Sequence, residues 1–499
     1  GEAVSGALNA NGDLANQPLR VDGRFARAAD GSLTVPAIDA RWASATIAAK
    51  DLTITESGAS GNAQVRIGDL AEIGLAIGLP LAGSLEVDVT TDNEVPRGRV
   101  KTVVRGKGLR GAGFEAATLD VDTTVIDPLG RAAIDGKVRA TGLRGIDELN
   151  QVSLTVGGER TALDVEVQAS GPRTNAQLAA TVRQIAEGFV VELARATGRF
   201  ADLPIALAGA SRVRIEGSRI TVEPTAVRIA EGRVSVAGTL DAGTSDLAID
   251  LAAFPLAAIG KIAPGVDMVG TLQAKVRVRG ALAAPRVEST FSIAAMRLRR
   301  PQTELLPALS ITGTAGMAGD RATFDTRISA GGGSQVTVKG DAALGGGPIN
   351  AAVSGTLDLG PFAPLVGSTV QGLRGTAVPD VTIRMEGDSI SGQGSITMRG
   401  VALTLPVAGL RLQGGEAVLR LNGAALAVER LRASPGGKGE INATGTVQLN
   451  VAQGFPVDLR VTTQRATLVN RSDLVAMISS NLPVSGSATG GLTVTGPAN

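Results

Sequence analysis

The chain contains no cysteine, no histidine and no tyrosine. Without cysteine it has neither a disulfide nor a thiolate metal site, and its redox compartment is left open. Without histidine it lacks the usual general base and the commonest transition-metal ligand, so Ser/His/Asp catalysis, Cys/His catalysis and His-bound zinc are impossible within these residues. An enzyme built from them would have only carboxylates, Lys, Arg and Ser, so we expect no catalysis, no cofactor and no metal. Aromatics are scarce, with one Trp and nine Phe. Lys plus Arg (48) balances Asp plus Glu (47). No block of five like charges occurs, and basic stretches such as "RLRRP" (297–301) are short. Nucleic-acid binding, which needs a basic track and stacking surfaces, is therefore not expected. No apolar run reaches the roughly eighteen residues that span a bilayer. The first residues, "GEAVSGALNANG", carry neither an initiator Met nor a signal peptide. Any membrane anchor is expected to lie outside these residues.

What the chain has in excess is glycine, 66 of 499 residues, on a background that is 43% hydrophobic. That is too apolar for disorder. Period-2 alternation runs from end to end: "SLEVDV" (84–89), "RVRI" (212–215), "RVSVAGTL" (233–240), "SDLAIDL" (245–251), "TLQAKVRVRG" (271–280) and "QVTVKGD" (335–341). Turn signals separate these runs, so the chain reads as predominantly antiparallel β. In 271–280, Leu272, Ala274, Val276 and Val278 fall on one side and Gln273, Lys275, Arg277 and Arg279 on the other. Asn422-Gly423 predicts a two-residue type I′ hairpin with Leu419 and Leu421 facing the same way as Leu426 and Val428.

A second element recurs at 69–89, 254–280, 360–387 and 473–496: a short Leu/Ile/Val/Ala segment, a Pro or Gly stop, a Gly, then an alternating strand. Short helices are accordingly expected near 69–80, 254–263, 360–371 and 473–481. In the second, Leu256, Ile259 and Ile262 give one apolar stripe. A unit that recurs and breaks off at "GGLTVTGPAN" (490–499) suggests a piece of a longer repetitive protein. "GKGLRG" (106–111) matches the dinucleotide fingerprint at Gly106, Gly108 and Gly111, but the following "AGFEAATLDVDTTV" alternates like a strand where that fingerprint requires a helix.

The amphipathic segment followed by "GTLQAKVRVRG" and a Pro a few residues on resembles the AsmA-like proteins. The same texture returns in "GALAAPRV" (280–287), "ASGPRTNAQL" (169–178) and "TGPAN" (495–499). Within that superfamily the chain is most similar to the TamB family, both in the strand block 198–241 and in 400–449, which resembles the start of a TamB-type carboxy-terminal region. The resemblance implies residues 1–399 as a repetitive β-groove segment and 400–499 as the beginning of that carboxy-terminal region. It implies an elongated, twisted antiparallel sheet curled lengthwise into an open trough with an apolar interior. It also implies a periplasmic protein tethered to the inner membrane, an outer-membrane Omp85-type (TamA-like) partner, and a role in phospholipid transport and outer-membrane biogenesis.

The alternation then names an expected acyl-chain lining: Val213, Ile215, Ile220, Val222, Val234, Val236, Leu247, Ile249, Leu251, Leu272, Val276, Val278, Leu419, Leu421, Leu426 and Val428. An exported β-helical adhesin or passenger is the alternative, although its ladders and calcium repeats are not visible. A string of β-sandwiches would often bury a Trp in each domain, and only Trp42 exists.

Overall fold

The computed structural model describes residues 3–55, 58–92, 98–111, 113–145, 149–262, 267–299, 306–366, 370–387, 389–406, 409–436, 439–450, 452–470, 475–487 and 491–495. They are mainly β, every strand pairing described is antiparallel, and helix is confined to a few short stretches, as the alternation predicts. Two units are distinguished: Gly1–Ala230 with Ser235–Thr239, and Glu231–Val234 with Leu240–Asn499. Strand Gly232–Leu240 contributes residues to both.

The first unit is a meander in which each strand from Val4–Leu14 to Gly188–Phe200 pairs with its successor. Strand Gly188–Phe200 then pairs with both Leu203–Leu207 and Ser211–Glu216, and both of these pair with Arg219–Ile229. The two short pieces thus form one rung broken at 208–210. The register places Pro224, which has no N–H to give the ladder, beside this break. Helix α1, Leu70–Ile77, interrupts the meander where expected. Asp69 caps it by accepting from the Ala71 N–H at 2.8 Å, and Gly78 ends it at φ 74°. "GKGLRG" lies at the end of strand Arg99–Gly111 and leads into strand Phe114–Ile126, so no dinucleotide turn forms there.

The second unit continues the same scheme from Ser245–Pro255 to Gly491–Val494. Helix α2, Ala257–Ile262, and the 3-10 turn Gly360–Val366 occupy the second and third expected positions. The buried members near α2 are Leu256 and Ala258, 2% and 1% exposed, while Ile259 is half-buried; the side chain of Ile262 lies outside the described residues. Over the described residues 475–481 of the fourth expected position no helix forms. Residues 473–474 lie outside the described residues, and Val475–Ile478 is a strand paired with Ala466–Asn470. The neighbouring chain captures the segment instead: Thr463 Oγ1 donates to the Ile478 carbonyl at 3.0 Å, and the Arg465 N–H donates to Ser479 Oγ at 2.7 Å. In this unit α2, the 3-10 turns Gly331–Gly333 and Gly360–Val366, and the hairpin Ala466–Ile478 each follow a strand of the same direction, so all sit at the same ends of the strands.

The expected type I′ turn is displaced by one residue. Leu421 stands opposite Leu426 and Asn422 opposite Ala425, so the central residues are Gly423 and Ala424, and only Gly423 has positive φ (63°). Gly in the first central position is the type II′ signature. The expected facing of the four apolar residues survives the shift.

Candidate functional site: an apolar face in each unit

In an antiparallel pair, residues directly opposite share a face, so the register decides what each face looks like. In the first unit Val65, Val87, Val104, Val121, Val138, Leu154, Val167 and Leu178 stand opposite one another in turn across successive strands. All are half-buried. In the second unit the corresponding row begins Leu251, Ala274, Phe291, Gly313, Thr326, Val338, Val353 and Val381. It continues through Gly394, Leu421, Leu426 and Val447 to Val457. β-Branched side chains dominate because they pack on a pleated surface with little loss of rotamer freedom.

The face is only partly covered. Large, fully buried side chains are nearly absent: Leu256 alone is so classed among the described residues. The chain exposes 28877 Å², whereas two separate globular domains of half its length would together expose about 20,000 Å². Within the second unit the cover is uneven. From Leu251 to Val353 the row is half-buried, while Val381, Leu421 and Val457 are 6%, 5% and 8% exposed. Part of that cover comes from strand Ala466–Asn470, which packs on Leu410–Gly423 and Ala425–Pro435. Its backbone passes so close to Gly439 that a Cβ there would lie 2.3 Å from the Arg465 carbonyl oxygen.

The expected lining residues fall as follows. In the first unit Val213 is opposite Val222 and Ile215 opposite Ile220, the last 36% exposed. Val234 and Val236 are half-buried on strand Gly232–Leu240. In the second unit Leu247 is opposite Val278, Ile249 opposite Val276, Leu251 opposite Ala274, and Leu272 lies between Phe254 and Ile293. Leu419 is opposite Val428 and Leu421 opposite Leu426, and of these Leu421 and Val428 are buried. Two bulges keep the apolar side chains on one face. An extra residue at 252–253, with Ala253 at φ 52°, brings Phe254 rather than Ala253 to it; another at 294–295, with Ala295 at φ 53°, does the same for Met296.

Sequence reasoning missed the aromatic contribution. Phe291 stands opposite Gly313 and Phe324 opposite Gly340, each ring close over the glycine: Cζ would be 3.0 and 2.7 Å from a Cβ placed there. The signal, a Phe on the alternating side of one strand and a Gly on the next, is readable only once the register is known.

The opposite face is polar and ion-paired. Arg277 donates to both oxygens of Asp246 at 2.8 and 2.7 Å, Arg279 lies 3.6 Å from Glu288, and Lys339 lies 2.9 Å from Asp325. The hydrogen bonds from Arg277 hold the Asp246 carboxyl below the usual carboxylate range, and Arg420 does the same for Glu429. Among the described residues no group of acidic side chains is arranged to hold a metal ion, and no helix is long and apolar enough to cross a membrane.

Residues 429–499 match the family model of the TamB C-terminal domain. No curated protein matches the chain.

Proposed function

We propose that this chain, whose residues 429–499 match the TamB C-terminal domain, is a member of the TamB family of AsmA-like proteins, and that its apolar rows are the wall of an open trough. Phospholipid acyl chains move along it between the inner and outer membranes. The chain then serves the translocation and assembly module from the periplasm, with its inner-membrane tether outside these residues and an Omp85-type, TamA-like partner at the outer membrane. Residues 1–399 form the groove segment and 400–499 begin the carboxy-terminal region.

The observation that carries this reading is the apolar row in each unit, from Val65 to Leu178 in the first and from Leu251 to Val457 in the second, half-buried over most strands rather than sealed. Each methylene leaving water is favourable by about 0.8 kcal/mol, so a two-chain lipid with about thirty of them faces a barrier on the order of 20 kcal/mol in bare water. A surface made mostly of Val, Leu and Ala from strand to strand removes most of that barrier with no chemical step. Even affinity matters as much as strength, since a deep pocket would hold the cargo, and the rings of Phe291 and Phe324 fill the dips that Gly313 and Gly340 would otherwise leave. The alternative, an exported parallel β-helix, finds no support in pairings that are antiparallel throughout.

Mass spectrometry of lipids that co-purify with the chain tests the proposal. Stoichiometric phospholipid is expected, and a lipid-free protein that also takes up none from vesicles would overturn it.

A further inference from the structure

Across the polar face of the first unit, one row reads Glu86, Arg105, Asp120 and Arg139 on successive strands, alternating in sign. On the next four strands the same row becomes Ser153, Gln168, Gln177 and Thr197, and the neighbouring positions are Gln151, Ser170 and Asn175. These seven side chains border a hollow of about 400 Å³. It contains no charge, and none of the seven side chains has a hydrogen-bond partner among the described residues. A second hollow, of about 530 Å³, lies on the polar side of the second unit, where Ser391, Gln393 and Asn422 project. Its charged members are engaged: Lys339 with Asp325 at 2.9 Å, Arg384 with Glu386 at 3.0 Å, and Asp341 as acceptor from Asn350 at 3.3 Å.

We propose that these hollows bind an uncharged glycan strand carrying hydroxyl and acetamido groups. The chemistry selects it. Asn and Gln side chains each offer a donor and an acceptor in one plane, the complement of an acetamido group, while Ser and Thr suit sugar hydroxyls. Inside the first hollow an anion would find no cation, the nearest being Arg139 opposite Ser153 and Arg199 opposite Asn175 at its border, and an acyl chain would find only Ala169, Ala176 and Gly198. A peptide strand would need backbone groups that the sheet has already used. The spacing agrees as well: neighbouring strands lie about 4.8 Å apart, close to the advance of a β-linked pyranose, so Ser153, Gln168, Gln177 and Thr197 offer one polar side chain per sugar. With no aromatic in either hollow to stack on a ring, binding at each is weak.

The test uses the whole chain and tetra-N-acetylchitotetraose, read by NMR of selectively labelled Asn and Gln side-chain amides. Saturable shifts are expected at Gln168, Gln177 and Gln393. Gln168→Ala and Gln177→Ala should each weaken binding at the first hollow about fivefold, the worth of one neutral hydrogen bond. Arg105→Gln, in the charged part of the row, should leave it unchanged, and circular dichroism should stay native in all three because the side chains are exposed. Absence of saturable binding, binding indifferent to the two Gln substitutions, or equal displacement by tetra-alanine, by inorganic phosphate or by phosphatidylcholine vesicles would each overturn the proposal. Lipid uptake, which uses the other face, should be normal in the Gln variants, so this inference and the groove reading fail separately.

Discussion

Replacing Val276 with Glu places a carboxylate in the middle of the apolar face. Val276 stands between Ile249 and Ser289, with Ala274 and Val278 above and below it on its own strand. The nearest cations, Lys275 and Arg277, point to the opposite face, so the new charge finds no partner and must stay hydrated. Because the site is only half-buried, the carboxylate can reach water, and the fold should tolerate it at a cost of about 1–2 kcal/mol. An acyl chain passing the site loses contact in that row. If about three methylenes are kept wet at about 0.8 kcal/mol each, the barrier rises by about 2.4 kcal/mol, roughly a fiftyfold slowing. Gln273→Glu is the matched control: it is exposed on the same strand, facing the other way. Transfer of a fluorescent phospholipid between donor and acceptor vesicles measures the rate, and circular dichroism checks the fold. A folded Val276→Glu protein that transfers at the native rate would refute the reasoning. So would a Gln273→Glu protein that is equally slow, because the effect would then belong to charge alone.

Three further outcomes are expected. Gly340→Ala should cost about 1–3 kcal/mol in urea unfolding, because the new Cβ would lie 2.0 Å from the Asn350 carbonyl oxygen and 2.7 Å from Phe324 Cζ. Gly423→Ala meets nothing within 4 Å and pays only for its φ of 63°, about 1 kcal/mol; equal costs would contradict the packing described. Leu256→Ala should lose about 2–5 kcal/mol, whereas Leu75→Ala, 84% exposed on α1, should stay within about 0.5 kcal/mol. Asp246 and Glu429, held low by Arg277 and Arg420, contribute stability that is present above the unfolded carboxylate range and lost as pH falls through their folded-state values. A small acid-side drop in thermal midpoint is therefore expected, reduced by Asp246→Asn and screened at about 1 M salt; an unaltered drop in that variant would count against the assignment.

The strand character of this chain was legible because alternation such as Leu272, Ala274, Val276 and Val278 survives in one dimension. So was α1, whose Asp69 and Gly78 mark both ends. The misread elements fail where local and neighbouring interactions compete. Residues 475–478 look helical alone but have a strand edge beside them, and Asn422-Gly423 yields to the one-residue offset that its flanking strands prefer. Bulges at Ala253 and Ala295 carry no glycine and leave no mark in composition. The amide hollows were invisible for another reason: Gln168 and Gln177 are unremarkable in sequence, and only the register sets them side by side.

The next-neighbour meander makes strand direction a matter of parity. Among the described residues of the second unit every helical turn, and the hairpin Ala466–Ile478, follows a strand running the same way. Stability in such an arrangement accumulates locally, strand by strand, because nearly all strand contacts are with the strands next in sequence. Such a chain can change length only in even steps without rearranging itself. Excising Leu309–Ala318 together with Arg321–Ala330 would bring Arg286–Leu298 against Ser334–Ala343 in the antiparallel sense and keep every later insert at the ends it now occupies. Excising either strand alone would reverse all that follow and carry the turn at Gly360–Val366 and the hairpin to the opposite border of the apolar face.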